Sequence, residues 1–96
     1  MIKYKRIKTG KRYIEAVCIR LLSKNFILLK GRKGYIMCGY LDLKAARKFK
    51  DAAIKVVGVS SIEDALNTAV HSCTPQARKL GIYKGQAIKD VLKIIA

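Results

Sequence analysis

An α+β fold, with an N-terminal antiparallel β meander followed by a β-α-β unit and C-terminal helices, is predicted by three features of this sequence. Residues 1 to 40 carry short apolar or alternating runs broken at Gly10, at Ser23-Lys24-Asn25 and between Gly31 and Gly34, which is the punctuation of hairpins. From Asp42 the period becomes helical, with Leu43, Ala46 and Phe49 on one side and Lys44, Arg47, Lys48 and Lys50 on the other. The β-branched run Ala53 to Val59 then returns to strand chemistry, and a strand, a short helix and a strand predict a right-handed parallel crossover.

Each element has its own signature. Residues 2 to 8 mix Ile2, Tyr4 and Ile7 with four basic residues, which suits an edge strand, and Lys8-Thr9-Gly10-Lys11 supplies a turn with glycine available for positive φ. Arg12 to Leu22 is the longest strand candidate. Its centre, Ala16-Val17-Cys18-Ile19, is apolar on both faces, so it needs cover on both sides, and a chain of 96 residues has little material to supply both. A partner subunit packed on this sheet follows as a physical expectation. Phe26-Ile27-Leu28-Leu29 is the third strand, and the basic tip Lys30 to Gly34 leads into the fourth, Tyr35 to Cys38.

Asp42 suits the N-cap of the first helix. Ser60-Ser61-Ile62-Glu63 has the form of a capping box, with Glu63 reaching back, and predicts a helix from Ser61 to Ala69. Thr74-Pro75 pairs an N-cap with proline at the first helical position, and Gly81 is the matching stop. Ile88, Val91, Leu92 and Ile95 make one apolar face of a last helix.

The composition narrows the function classes. No apolar run approaches the roughly 18 residues of a membrane span, and the basic start Met1 to Arg6 has no apolar core of signal-peptide length behind it. A cytoplasmic protein without a membrane partner is the default expectation. Cys18, Cys38 and Cys73 are odd in number and widely spaced, which reads as reduced thiols. With His71 the one histidine and no paired ligand spacing, neither a metal nor another cofactor is predicted.

The net charge is +15, from 21 Lys and Arg against 6 Asp and Glu, and before residue 34 Glu15 is the only acid. Such an excess favours polyanions, nucleic acid first among them. Lysines on exposed strand edges also discourage edge-to-edge association, with no ligand involved. Tyr4, Tyr13, Tyr35 and Tyr83 are interleaved with basic residues, a pattern that suits bases stacked on a cationic surface and equally suits the aromatics of a protein interface.

The runs Gly34-Tyr35-Ile36-Met37-Cys38-Gly39, Leu41-Asp42, Gly58-Val59 with Ile62, and Leu80-Gly81-Ile82 with Gly85 resemble the YunC-like family of uncharacterised bacterial and archaeal proteins, a domain-of-unknown-function family. The likeness spans nearly the whole chain. It implies an α+β fold whose N-terminal β region mediates tetramer formation, so that residues 1–33 of a single domain serve oligomerisation and residues 34–96 form the α/β part. It implies no activity. The basic charge, His71 and Cys73 depart from the pattern, and neither residue inherits a role.

A candidate site follows from the crossover. If the fourth and fifth strands are parallel neighbours, Cys38 and Ser60 emerge at the same sheet end, where open α/β arrangements place ligands. Helix starts near Asp42 and Ser61 would point free amides and positive dipole ends there, welcoming an anion and lowering a thiol pKa. Cys38, Gly39, Asp42, Ser60 and Ser61 are therefore the candidate ligand-binding residues, with Cys38 and Asp42 the candidates for catalysis. The plain alternative is that Cys38 is a core thiol and that Asp42, Ser60 and Ser61 are only caps. His71 and Cys73, two apart, would share a face of an extended segment, where a thiol beside an imidazole is a nucleophile arrangement; the ordinary alternative is a polar surface pair before the Thr74 cap. The function expected is a homo-oligomer, tetrameric by the resemblance, that binds a small anionic ligand near Cys38. The alternative is a nucleic-acid or polyanion module working through the basic N-terminal sheet. Whether the protein is an enzyme is left open.

Overall fold

A computed structural model describes residues 2–96, so Met1 of the basic N-terminal stretch lies outside it. The elements are β1 (Ile2–Thr9), β2 (Arg12–Arg20), β3 (Asn25–Lys30), β4 (Tyr35–Met37), α1 (Leu43–Lys48), β5 (Ala53–Lys55), α2 (Ile62–Leu66), β6 (Ser72–Cys73), α3 (Pro75–Lys79) and α4 (Ile88–Ile95). All six strands form one sheet in sequence order. The first four make the expected antiparallel meander, and β4 pairs with β5 in parallel across α1.

Side-chain alternation gives this sheet two unlike faces. Ile14, Ala16 and Cys18 of β2, Ile27 and Leu29 of β3, Ile36 of β4 and Ile54 of β5 point to one side. They pack there with Ile62 and Ala65 of α2 and with Ile88, Val91, Leu92 and Ile95 of α4 in a single core cluster. Each such Ile, Leu or Val side chain removed from water contributes about 1.5–3 kcal/mol. On the other side α1 covers β4 and β5: Ala46 packs with Leu41 and Ala53, and Tyr35, Met37 and Leu43 close around them. Among the described residues nothing covers β1–β3 on that side, where Ile2 and Tyr4 are 71% and 57% exposed and Val17, Ile19, Phe26 and Leu28 are half-buried. Among the described residues the two-faced apolar centre of β2 thus finds cover on one face only.

The caps hold the short helices in register. Asp42 accepts from the Lys44 and Ala45 amides, Ser61 Oγ accepts from the Asp64 amide, and Pro75 stands at the first position of α3 behind Thr74. Thr74, 2% exposed, is the one buried polar residue among the described residues. Its hydroxyl donates to the Asp51 carbonyl at 2.7 Å and accepts from the Ala53 amide at 3.0 Å, fastening α3 to the start of β5.

Some boundaries differ from the expected ones, each for a long-range reason. The β-branched run after Ala53 stays in the sheet only to Lys55. The Val56 amide still reaches the Met37 carbonyl at 3.0 Å, but Gly58, at φ +70, turns the chain away. The helix expected to reach Ala69 ends at Leu66, because Ala69 bridges to Ala87 and the Ile88 amide donates to the Thr68 carbonyl. The N-cap is Ser61 rather than the Ser60 of the expected box, so Asp64 takes the place expected of Glu63; its carboxylate accepts from the Ser60 amide and hydroxyl, while Glu63 pairs with Lys5 at 3.5 Å. The two-residue β6, antiparallel to β5, has no counterpart in the sequence reading.

Candidate functional site

The parallel pair brings Cys38 and Ser60 to one end of the sheet. Cys38 directly follows β4, and the chain leaving β5 passes Val57, Gly58 and Val59 to reach Ser60. The turn between β2 and β3 ends at the same place. Together they enclose a cleft of about 660 Å³ lined by Ser23, Lys24, Asn25, Cys38, Gly39, Tyr40, Val57, Gly58, Val59 and Ser60. A neighbouring cleft of about 730 Å³ runs along the edge strand, with Lys3, Lys5, Arg20, Ser61 and Glu63 in its walls. Asn25 and Ser60 line both, and the Asn25 side-chain amide donates to the Ser60 carbonyl at 2.8 Å. That bond is a strut between the two clefts.

Of the five residues expected to bind ligand, Cys38, Gly39 and Ser60 line the first cleft, and Ser61 lines the second. Asp42 lines neither; its carboxylate is engaged at the start of α1. A Cβ added at Gly39 would meet nothing, so this glycine leaves the cleft mouth open rather than admitting a close backbone approach. The sequence pattern offered no sign of the contribution of Ser23, Lys24 and Asn25, because a polar break between two strands reads only as a turn. Tyr40, 48% exposed, stands 6.4 Å from Phe26 and joins the cleft to the uncovered face of β1–β3.

The thiol is both core and lining. Cys38 is 4% exposed and belongs to the main cluster. Its sulfur accepts from the Ile27 amide at 3.4 Å and lies 3.9 Å from the Asn25 carbonyl. The helix-start amides expected around it are occupied by the chain's own oxygens: Lys44 and Ala45 donate to Asp42, and Asp64 donates to Ser61. Local hydrogen bonds to Ser60 hold the Asp64 carboxylate below its usual range. Negative charge therefore already stands at the start of both helices.

His71 is exposed, with its Nδ1 3.1 Å from the Ser72 hydroxyl, while the half-buried Cys73 faces the Ile82 carbonyl at 3.8 Å. Neither lines the two clefts. Among the described residues no three His, Cys, Asp or Glu side chains gather as a metal site would need, and no helix is long and apolar enough to cross a membrane.

A family model described as a domain of unknown function, DUF1805, matches residues 37–95. The chain belongs to this family. It is 36% identical over 81 residues to the uncharacterized protein YunC of Bacillus subtilis, covering 80% of each chain. The crystal structure of TA1206, a protein of unknown function from Thermoplasma acidophilum, superposes with a TM-score of 0.96 at 30% identity, covering 100% of this chain and 94% of that one. The DUF1805 match takes in Cys38, Gly39, Asp42, Ser60 and Ser61 but not Ser23, Lys24 or Asn25, so the cleft is walled partly by the family segment and partly by the meander that precedes it.

Proposed function

We propose that this DUF1805 protein is a homo-oligomer, a tetramer assembled through the uncovered face of β1–β3, and that it binds a small anionic ligand in the cleft beside Cys38. The lining of that cleft carries the ligand reading: Lys24 contributes positive charge, Asn25, Cys38 and Ser60 are its polar neighbours, Val57, Val59 and Tyr40 supply apolar wall, and no carboxylate lines it. A concave site at the carboxyl ends of parallel strands, mostly apolar with a few polar groups, is where a small molecule binds in such sheets. The assembly reading draws on Ile2, Tyr4, Val17, Ile19, Phe26 and Leu28, a contiguous apolar surface of the kind that soluble monomers rarely leave open. It draws also on the tetramer-forming N-terminal region that the family resemblance implies.

Thermal denaturation with inorganic phosphate, pyrophosphate and small dicarboxylates tests the ligand reading. A ligand that binds only the native state raises Tm in a saturable way, and Lys24→Glu should abolish the rise. No shift with any of these at millimolar concentration overturns it. Light scattering tests the assembly: a mass near that of a tetramer is expected, and a monomer at micromolar concentration overturns it.

A further inference from the structure

We propose that the end of the sheet opposite the Cys38 cleft binds single-stranded nucleic acid, with Phe49 as a stacking platform set among cations. The strand order creates this surface. Arg6, Glu15, Lys30, Tyr35 and Ala53 form one row across the first five strands. Everything beyond that row projects from the same end: the β1–β2 turn, the β3–β4 turn and the connection from α1 to β5. These segments carry Lys11, Arg12, Arg32, Lys33, Lys48 and Lys50, all exposed. From β1 to β5, at 4.7–4.9 Å between neighbouring strands, the three segments span about 19 Å.

Charge segregates along the sheet. Of the six acids in the chain, only Asp51 lies at this end, and the Tyr35 hydroxyl donates to it at 3.0 Å. Glu15 stands in the row itself and accepts from the Tyr4 hydroxyl at 3.0 Å. Asp42 and Asp90 begin α1 and α4, the helices whose far ends reach this surface, and Glu63 and Asp64 belong to α2 beside the clefts. The one ion pair among the described residues joins Lys5 to Glu63, away from these turns.

Phe49 is the feature that charge alone leaves unexplained. It caps α1 between Lys48 and Lys50 with 73% of its surface exposed. Its position is held by the backbone: Lys50 sits at φ +60, the left-handed conformation usually left to glycine, and donates to the Arg47 carbonyl, while the Asp51 amide donates to the Ala46 carbonyl. The β3–β4 tip is held as firmly. The Lys33 amide donates to the Ile95 carbonyl at 2.8 Å, and a Cβ at Gly31 or Gly34 would collide with the carbonyl oxygens of Ile95 or Ala52. An exposed aromatic ring on a hydrogen-bonded backbone, flanked by cations, is the arrangement that stacks a base while the charges follow the phosphates. In a duplex the bases stack on one another, so Phe49 favours the single strand.

The chain has no tryptophan, which makes Phe49→Trp both a conservative replacement and a spectroscopic probe. Titrating it with a 12-nucleotide oligothymidylate should quench its fluorescence saturably. In anisotropy titrations of the labelled oligonucleotide, Phe49→Ala should lose at least about fivefold in affinity with the salt slope unchanged, and a duplex of the same length should be little affected. Arg12→Glu with Arg32→Glu should weaken binding and flatten the slope of log affinity on log salt by about 1.4. Lys84→Glu with Lys89→Glu, an equal loss of charge on the other side of the fold, should leave both nearly as they were. Circular dichroism melts confirm that each variant folds; where a reversal pair does not, Arg12→Gln with Arg32→Gln, or Lys84→Gln with Lys89→Gln, replaces it. The proposal is overturned by equal losses in the two charge-reversal pairs, by an unaffected Phe49→Ala, by absence of binding at 50 mM salt, or by polyglutamate competing as well as the oligonucleotide, which would assign the surface to acidic polypeptides.

Discussion

The side chain of Asn25 donates to the backbone carbonyl of Ser60 at 2.8 Å, joining the first residue of β3 to the segment that enters α2, 35 positions later. The bond links the meander to the family segment and fixes the wall between the two clefts. Asn25→Ala should lower stability by about 1 kcal/mol, the usual net worth of such a bond. Asn25→Asp should cost more, because a carboxylate facing a carbonyl cannot donate and brings negative charge to the cleft. Urea midpoints of the two variants check this order, and an equal or reversed pair would show that the strut carries no load.

Cys38 is held as a packed side chain that also accepts a backbone hydrogen bond from Ile27. Iodoacetamide should modify the half-buried Cys73 first and reach Cys38 only slowly in the native protein, followed by mass spectrometry of each site. Cys38→Ala should cost about 1–2 kcal/mol, since it leaves both a small cavity and an unpaired Ile27 amide.

Tyr35 should shape the alkaline limit of stability. Partial burial, then the hydrogen bond to Asp51, then the charge of that carboxylate push its pKa from 10.0 up to about 12. The folded state therefore keeps a proton that the unfolded state gives up sooner, so this contribution is complete below pH 10 and disappears as pH rises toward 12. Spectrophotometric titration should lose a late-ionising tyrosine in Tyr35→Phe, and the same variant should flatten the fall of Tm over this interval.

Lys50 should be a site where stability and the proposed stacking surface part company. A non-glycine residue in the left-handed region costs about 1 kcal/mol, so Lys50→Gly should raise the urea midpoint accordingly. The same change removes a cation beside Phe49 and should weaken oligonucleotide binding. Stabilisation without weakened binding would leave Lys50 with only a structural role.

What the sequence determined by itself is what short-range forces decide. Glycine and polar breaks set the hairpins, and Asp42, Ser61 and Thr74-Pro75 marked the helix starts because a side-chain oxygen satisfies an amide two or three residues away. The parallel approach of β4 and β5, and with it the meeting of Cys38 and Ser60, was legible in the strand-helix-strand order. Tertiary structure decided what depends on partners far along the chain. The two-residue β6 exists only against β5, α2 stops where Ala69 bridges Ala87, and with Ser61 rather than Ser60 as the N-cap, Asp64 stands three residues on in the place expected of Glu63. Local period placed Phe49 on the apolar side of α1, yet the helix ends there and the left-handed Lys50 leaves the ring in solvent. The part of Asn25 in the cleft and the gathering of three cationic turns at one sheet end stayed hidden for the same reason: a sequence pattern reports periods and neighbours, whereas pairing between distant strands sets which side chains share a surface.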